Sequence, residues 1–356
     1  VLLAGIGFYV AAFLVDFLGA SETVHPQATE YLEYSFIGLP FLFAYVIFQS
    51  LMRGVGDART PLWIVAGTVL LNFVLDPLLI MGYGPVPALG VSGAAAATVA
   101  TQGLAALIGL IMLFSGRYGI HLRLVQLKPD FPLLWQLLKL GLPAAVEQAT
   151  RALGLMVMTT LVAGFGTVAL AAYGIGTRML SFVIIPALGL SQATSTVVGQ
   201  NMGAGELKRA EHTTWLSGAI AFVGLSLVGI LAFVFAEPLV RAFIPDAEAV
   251  IQEGSQFVRI TALAYGVLGA QIVVTGAFRG SGNTLAAMAI ALVSLWMLQF
   301  PIAWLLTERT SLGVTGVWIS YPVQSVLTAL IAWIWFVRGG WKHRQFVGVP
   351  PAEIRV

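Results

Sequence analysis

The sequence contains no cysteine. That excludes disulfides, thiolate-bound metals and cysteine nucleophiles. Charge is scarce too: Asp, Glu, Lys and Arg make up 10% of the 356 residues, against about 25% in soluble domains. The charges nearly cancel, to a formal net of +2, which offers no basic field to a nucleic acid. The four histidines (His25, His121, His212 and His343) are scattered and match no metal-ligand spacing. No basic n-region precedes the apolar run at Val1, so that run does not read as a signal peptide but as a cut end. What is abundant is apolar: 58% of the residues, with a mean hydropathy of +0.91. Such a chain is expected to be an all-α integral membrane protein.

Ten apolar segments have membrane length: 1–19, 31–52, 61–82, 90–115, 132–164, 168–198, 212–236, 250–278, 284–306 and 313–337. They are continuously apolar rather than alternating, which argues against a barrel. Arg53, Arg59, Arg117, Arg123, Lys128, Lys208, Arg209, Arg279, Arg338, Lys342 and Arg344 fall between spans on one side. The opposite side has Arg241 and Arg309 but more acids: Glu22, Glu30, Glu237, Asp246, Glu248 and Glu308. The positive-inside rule makes the first side, and the C-terminus, cytoplasmic.

The chain repeats itself. RGVGD at 53–57 matches RGSGN at 279–283, an offset of 226; LGVSG at 89–93 matches LGVTG at 312–316, an offset of 223. Pro77 falls opposite Pro301, an offset of 224. Same order and same sidedness mean parallel repeats, as in carriers built from two like halves. Val1 aligns near residue 227 and the second copy starts near 130, so roughly 97 residues, about two helices, are expected before Val1 in the complete protein. The expected fold is two parallel-repeat helical lobes with about ten of twelve transmembrane helices. The expected divisions are an N-lobe at 1–116, a cytoplasmic linker at 117–131, a C-lobe at 132–338 and a cytoplasmic tail at 339–356.

The motifs FQSLMRGVGDARTP, LNFVLDPLLI, PALGVSGAAAATV, GTVALAAYGIGTRMLSF, VGQNMGAG and GAFRGSGNT span essentially the whole chain. Together they resemble the multidrug and toxic compound extrusion (MATE) family. The resemblance implies twelve helices in two six-helix lobes, of which this chain would supply helices three to twelve. It also implies efflux of amphipathic, often cationic, compounds driven by inward flow of H+ or Na+. It further implies a monomer in the cytoplasmic (inner) membrane of a prokaryote, with no cofactor beyond the coupling ion. A flippase or exporter of lipid-linked or polysaccharide cargo in the same superfamily is the alternative, and it calls for a more cationic cleft. Clustered catalytic groups are not visible, so an integral-membrane enzyme is not expected. The Gly-x-Gly loops follow no strand and precede no Walker lysine, so no nucleotide site is expected either.

Asn72 and Asp76 are four apart and share a helix face. Pro77 removes an N–H and is expected to kink the helix and expose carbonyls. Carboxylate, amide and carbonyls on one face suit a proton or a hard cation such as Na+, and intramembrane acids are functional by default. The bland reading is a carboxylate snorkelling at a helix end. The second copy keeps the proline but has Gln299 and Phe300 beside it, which speaks against a purely architectural need. The resemblance adds Thr98 and Tyr31 to this coupling site, together with an acid on the missing first helix, so the site here is expected to be incomplete. Glu147 and Arg151 are also four apart, readable as an intrahelical ion pair or as cleft charges. Arg178 in GIGTRMLSF is expected to be buried, bonded to carbonyls or across helices, with a cleft charge that meets substrate as the alternative. The resemblance also implies, for one branch of that family, coupling acids on the helix of Glu147 and on the tenth helix; the matching tenth-helix stretch RITALAYGVLGAQIVVTGAFRG carries no acid, which argues against a second-lobe sodium site.

Overall fold

The computed structural model describes residues 2–17, 21–84, 87–116, 119–123, 125 and 128–343. Arg117, Arg344 and the rest of the tail lie outside them. The chain divides into two compact units, Val1–Pro129 and Asp130–Val356.

The first unit holds α1 (Leu2–Phe17), α2 (His25–Gly54), α3 (Arg59–Met81) and α4 (Val91–Ser115). α4 is its centre, packed on α2 and α3, while α1 packs on α2. Its buried stripe is small: Ala95, Ala97, Ala105, Ala106 and Gly109. Small residues let helix backbones approach closely when water supplies no driving force. Gly93 shows how closely: a Cβ there would lie 2.4 Å from the Leu79 carbonyl oxygen of α3. The start of the expected linker folds back on this unit. Leu122 N–H bonds to Leu113 O, and Ile120 and Leu122 pack on Phe48, Met52 and Leu113.

The second unit holds α5 (Phe131–Ala163), α6 (Thr167–Gly203), α7 (Leu207–Val234), the short α8 (Ala236–Arg241), α9 (Glu248–Ala262) and α10 (Tyr265–Gly280). α11 (Thr284–Leu292), a π-helical segment (Val293–Gln299), α12 (Phe300–Glu308) and α13 (Val314–Val337) complete it. A buried ring cluster anchors its core: Trp318 stacks on Tyr173 at 6.0 Å and meets Phe257 edge-on at 4.7 Å.

Among the described residues, each of the ten expected spans is helical over most of its length. Among the described residues, seven are long and apolar enough to cross a membrane, and eight when α9 and α10 count as one. α1 is short, and Glu147, Gln148 and Arg151 make α5 less apolar. Two spans differ from the expected single rods. The span at 250–278 is broken between α9 and α10 by a 55° bend. The break faces α7 at close range: a Cβ on Gly229 would meet Ala262 O at 2.5 Å, and one on Gly266 would meet Ser226 Oγ at 2.0 Å. The span at 284–306 widens into the π segment just before Pro301, whose ring nitrogen cannot donate. The matching Pro77 sits inside an unbroken α3.

The repeat is structural. α2, α3 and α4 correspond in order to α9–α10, α11–α12 and α13. Gly56 (φ 90°) and Gly282 (φ 73°) make the matching turns, and Gly90 (φ 59°) and Gly313 (φ 53°) precede α4 and α13. All four adopt the left-handed region open to glycine. Contacts repeat as well: Ser92 donates to Glu30 in one copy, and Gln256 donates to Thr315 in the other.

Candidate functional site

Two charge-bearing sites lie on the helices, one in each unit. In the first unit, α3 places Asn72 and Asp76 one turn apart, both half-buried, and Asn72 Nδ2 donates to Asp76 Oδ1 at 3.3 Å. Among the described residues no cation pairs with Asp76; its side-chain partner is a neutral amide. Thr98 is exposed on α4 and donates its hydroxyl to Ala94 O at 3.0 Å. Tyr31 is exposed on α2. The structure therefore joins Asn72 to Asp76 and shows no hydrogen bond from either to Thr98 or Tyr31 among the described residues. α3 packs on α4, the helix of Thr98. Toward the predicted outer end of this unit, a cavity of 610 Å³ is lined by Glu30, Glu33, Tyr34 and Ser92.

In the second unit, Glu147 on α5 is 1% exposed and is gripped by two guanidinium groups. Arg279 Nη2 reaches Glu147 Oε1 at 2.6 Å and Arg279 Nε reaches Oε2 at 3.2 Å. Arg151 Nη2 adds a bond to Oε1 at 3.0 Å. The fork-on-fork geometry with Arg279 is the stronger kind of ion pair. The triad carries one carboxylate and two guanidinium groups, a net charge of +1. Arg151 also lines a cavity of 340 Å³ with apolar walls of Leu155, Leu180, Ile184 and Leu188. Gln271, Gln299, Gln324 and Ser325 add polar groups to the same walls. A few convergent polar groups in an apolar hollow of this size describe an ordinary small-molecule pocket.

Arg178 departs from expectation. It is exposed on α6 and lines a cavity of 260 Å³ with Ala171, Gly174, Ile175, Phe243 and Ile244. Its neighbours on the helix face are small (Ala171, Gly174), so the long side chain is not covered.

A family model described as MatE matches residues 1–78 and 143–305. The chain belongs to the MatE family. A probable multidrug resistance protein of Bacillus subtilis, YpnP, is 32% identical over 94% of this chain and 74% of its own length. A probable multidrug resistance protein NorM of Thermotoga maritima is 30% identical over 90% of this chain and 69% of its own length. A transporter of the MOP superfamily from Pyrococcus furiosus superposes with a TM-score of 0.89 at 22% identity, covering 96% of this chain and 76% of that one. That likeness establishes the fold. The MatE chain is thus a multi-pass helical membrane protein of a transporter family, not an enzyme.

Several side chains of this MatE protein escaped the sequence reading. Arg279 reads as a cytoplasmic loop cation, yet it sits in the last turn of α10 and binds Glu147. Its one signal was its place in the repeated RG-x-G motif. Glu253, on α9, is the acid of the broken span, just before the acid-free stretch quoted above. It accepts a bond from Trp318 Nε1 at 2.8 Å. Gln271 had no signal at all: an amide among small residues in a span reads as packing.

Proposed function

We propose that this chain is a secondary multidrug efflux antiporter. It exports amphipathic organic compounds, cationic ones among them, by alternating access in exchange for H+ or Na+. The observation that carries this reading is the contrast between two of the carboxylates on the spanning helices, Asp76 and Glu147. Glu147 is locked by two arginines and is committed to holding α5 against α10. Among the described residues, Asp76 is bonded to the Asn72 amide and to no cation, on an apolar helix. A carboxylate without a cationic partner at membrane depth is expensive to keep ionised. We take such a group as the place where the coupling ion is exchanged between the two states. Thr98, on the helix against which α3 packs, and Tyr31 on α2 are proposed to complete the site when the helices rearrange, with Pro77 as the pliable point. The multidrug resistance proteins among the relatives support the cargo class. Coupling then requires drug and ion to bind the two states differently.

The test uses the complete protein in proteoliposomes. Ethidium efflux is followed against imposed H+ and Na+ gradients for wild type and Asp76→Asn. The expected result is a drop of at least tenfold in gradient-driven efflux, with ethidium still bound. Normal driven efflux by Asp76→Asn refutes the assignment.

A further inference from the structure

The C-lobe cavity has a polarity of its own. Its lining includes Arg151 and, among the described residues, no carboxylate. Glu147, to which Arg151 is bonded, has both oxygens bonded to guanidinium nitrogens, and the triad retains one positive charge. Arg279 holds Glu147 through two bonds and Arg151 through one, so Arg151 is the arginine with donors to spare. Among the described residues its Nε has no hydrogen-bond partner. Gln271, 6% exposed and lining the same cavity, likewise has an Oε1 without a partner among the described residues. A buried acceptor left unpaired costs about 1–3 kcal/mol. An amide rotation or a seated ligand relieves that cost. The cavity wall also includes Ser294, Leu295 and Gln299 of the π segment. π segments recur at functional sites, where the widened turn redirects side chains.

We infer that this cavity is a binding site for amphipathic organic acids, including zwitterions, whose carboxylate pairs with Arg151 and whose apolar body fills the leucine-lined hollow. A hydrogen-bond donor on the ligand would satisfy Gln271. A bare organic cation is disfavoured here, because it would approach a triad of net charge +1 whose one carboxylate is already taken up by two guanidinium groups. The volume of 340 Å³ suits a compound of two or three rings and is small for a diacyl lipid. The inference rests on the transport reading, in that the occupant is taken to be cargo.

The test is equilibrium binding without gradients, by calorimetry, on the full chain in phosphatidylcholine nanodiscs. Three matched probes are used: 1-naphthaleneacetate, 1-naphthaleneacetamide and (1-naphthylmethyl)trimethylammonium. The acid is expected to bind about tenfold or more tighter than the other two, the range of a charge-assisted hydrogen bond. Arg151→Gln should erase the preference for acid over amide, and Arg151→Lys should keep part of it. Arg279 continues to hold Glu147 in both variants. Ile184→Trp, which fills the cavity without touching a charge, should abolish the acid-selective binding; the part of each probe's binding that Ile184→Trp removes is the part assigned to this cavity. Equal or tighter Ile184→Trp-sensitive binding of the ammonium probe overturns the inference, as does an acid preference that survives Arg151→Gln or Ile184→Trp. Displacement of the acid by palmitate at lower concentration than by unlabelled 1-naphthaleneacetate assigns the cavity to a lipid and also overturns it. None of these results touches Asp76, so the antiport reading stands or falls separately on driven efflux.

Discussion

Replacing Glu147 by glutamine tests whether the carboxylate is a structural clamp. The substitution keeps the shape and removes the charge, leaving Arg151 and Arg279 facing each other across α5 and α10. Two unit charges about 4 Å apart interact by about 4 kcal/mol at an effective dielectric of 20. Breaking one side of a buried pair costs about 3–5 kcal/mol, because the partner is left uncompensated. Here the two guanidinium side chains keep 24% and 36% of their exposure, which screens part of the loss. The lower end applies, about 3 kcal/mol. That is roughly a hundredfold in the folded-to-unfolded ratio, and it lowers the melting temperature by about 5–10 °C. Melting is followed by tryptophan fluorescence in detergent, a convenient probe because Trp318 is fully buried in the same lobe. The double variant Glu147→Gln/Arg279→Gln should recover at least half of the loss, since one unpaired cation goes with the carboxylate. Transport per folded molecule should change little. A Glu147→Gln protein that melts within 1 °C of wild type refutes the clamp. So does a double variant as unstable as the sum of its singles. A stable Glu147→Gln protein that has lost driven efflux would make Glu147, and not Asp76, the coupling acid.

Gly93→Ala should destabilise the first unit by about 1–3 kcal/mol, the usual cost of overpacking. The added carbon meets the Leu79 carbonyl, and backbone cannot swing aside as a side chain can; an unchanged melting curve contradicts the close α3–α4 approach. Asp57, in the turn before α3, accepts from the Thr60 hydroxyl at 2.6 Å and from the Thr60 and Arg59 N–H groups at 3.0 Å. The Thr60 bonds foremost, and then Arg59, hold its carboxyl below the usual carboxylate range. A depressed folded pKa means that its stabilisation is present above the unfolded value of about 3.9 and is lost as pH falls through the folded one. Asp57→Ala should therefore cost about 1 kcal/mol at pH 7, and the gap to wild type should close in acid. A gap independent of pH points to a steric cause.

The parts of this fold that are legible in the sequence are those whose signals are local. Long apolar runs give the helices, because a bilayer accepts little else as a spanning backbone. The repeated RG-x-G and LGV-x-G motifs give the two-copy plan, because their glycines meet backbone requirements. Gly56 and Gly282 make left-handed turns, and Gly93 and Gly316 permit a close helix approach. Pairs four residues apart are equally readable, and both expected pairs, Asn72 with Asp76 and Glu147 with Arg151, are bonded. What the sequence hides is set by partners far along the chain. Arg279 lies 132 positions from Glu147, so nothing local marks it as the stronger of the two arginine partners. The bend between α9 and α10 answers to the small residues of α7, not to a proline in the span itself. The two matched prolines make the same point from the other side. Pro77 leaves α3 unbroken while Pro301 follows a π segment, so the residue type fixes where a helix can yield, and the packing around it decides whether it does. The same distinction separates the two carboxylates. In sequence, Asp76 and Glu147 are alike: an intramembrane acid with a polar neighbour one turn away. Only the third partner, reaching in from another helix, separates them: Glu147 is tied to α10 by Arg279, while among the described residues Asp76 has the Asn72 amide alone.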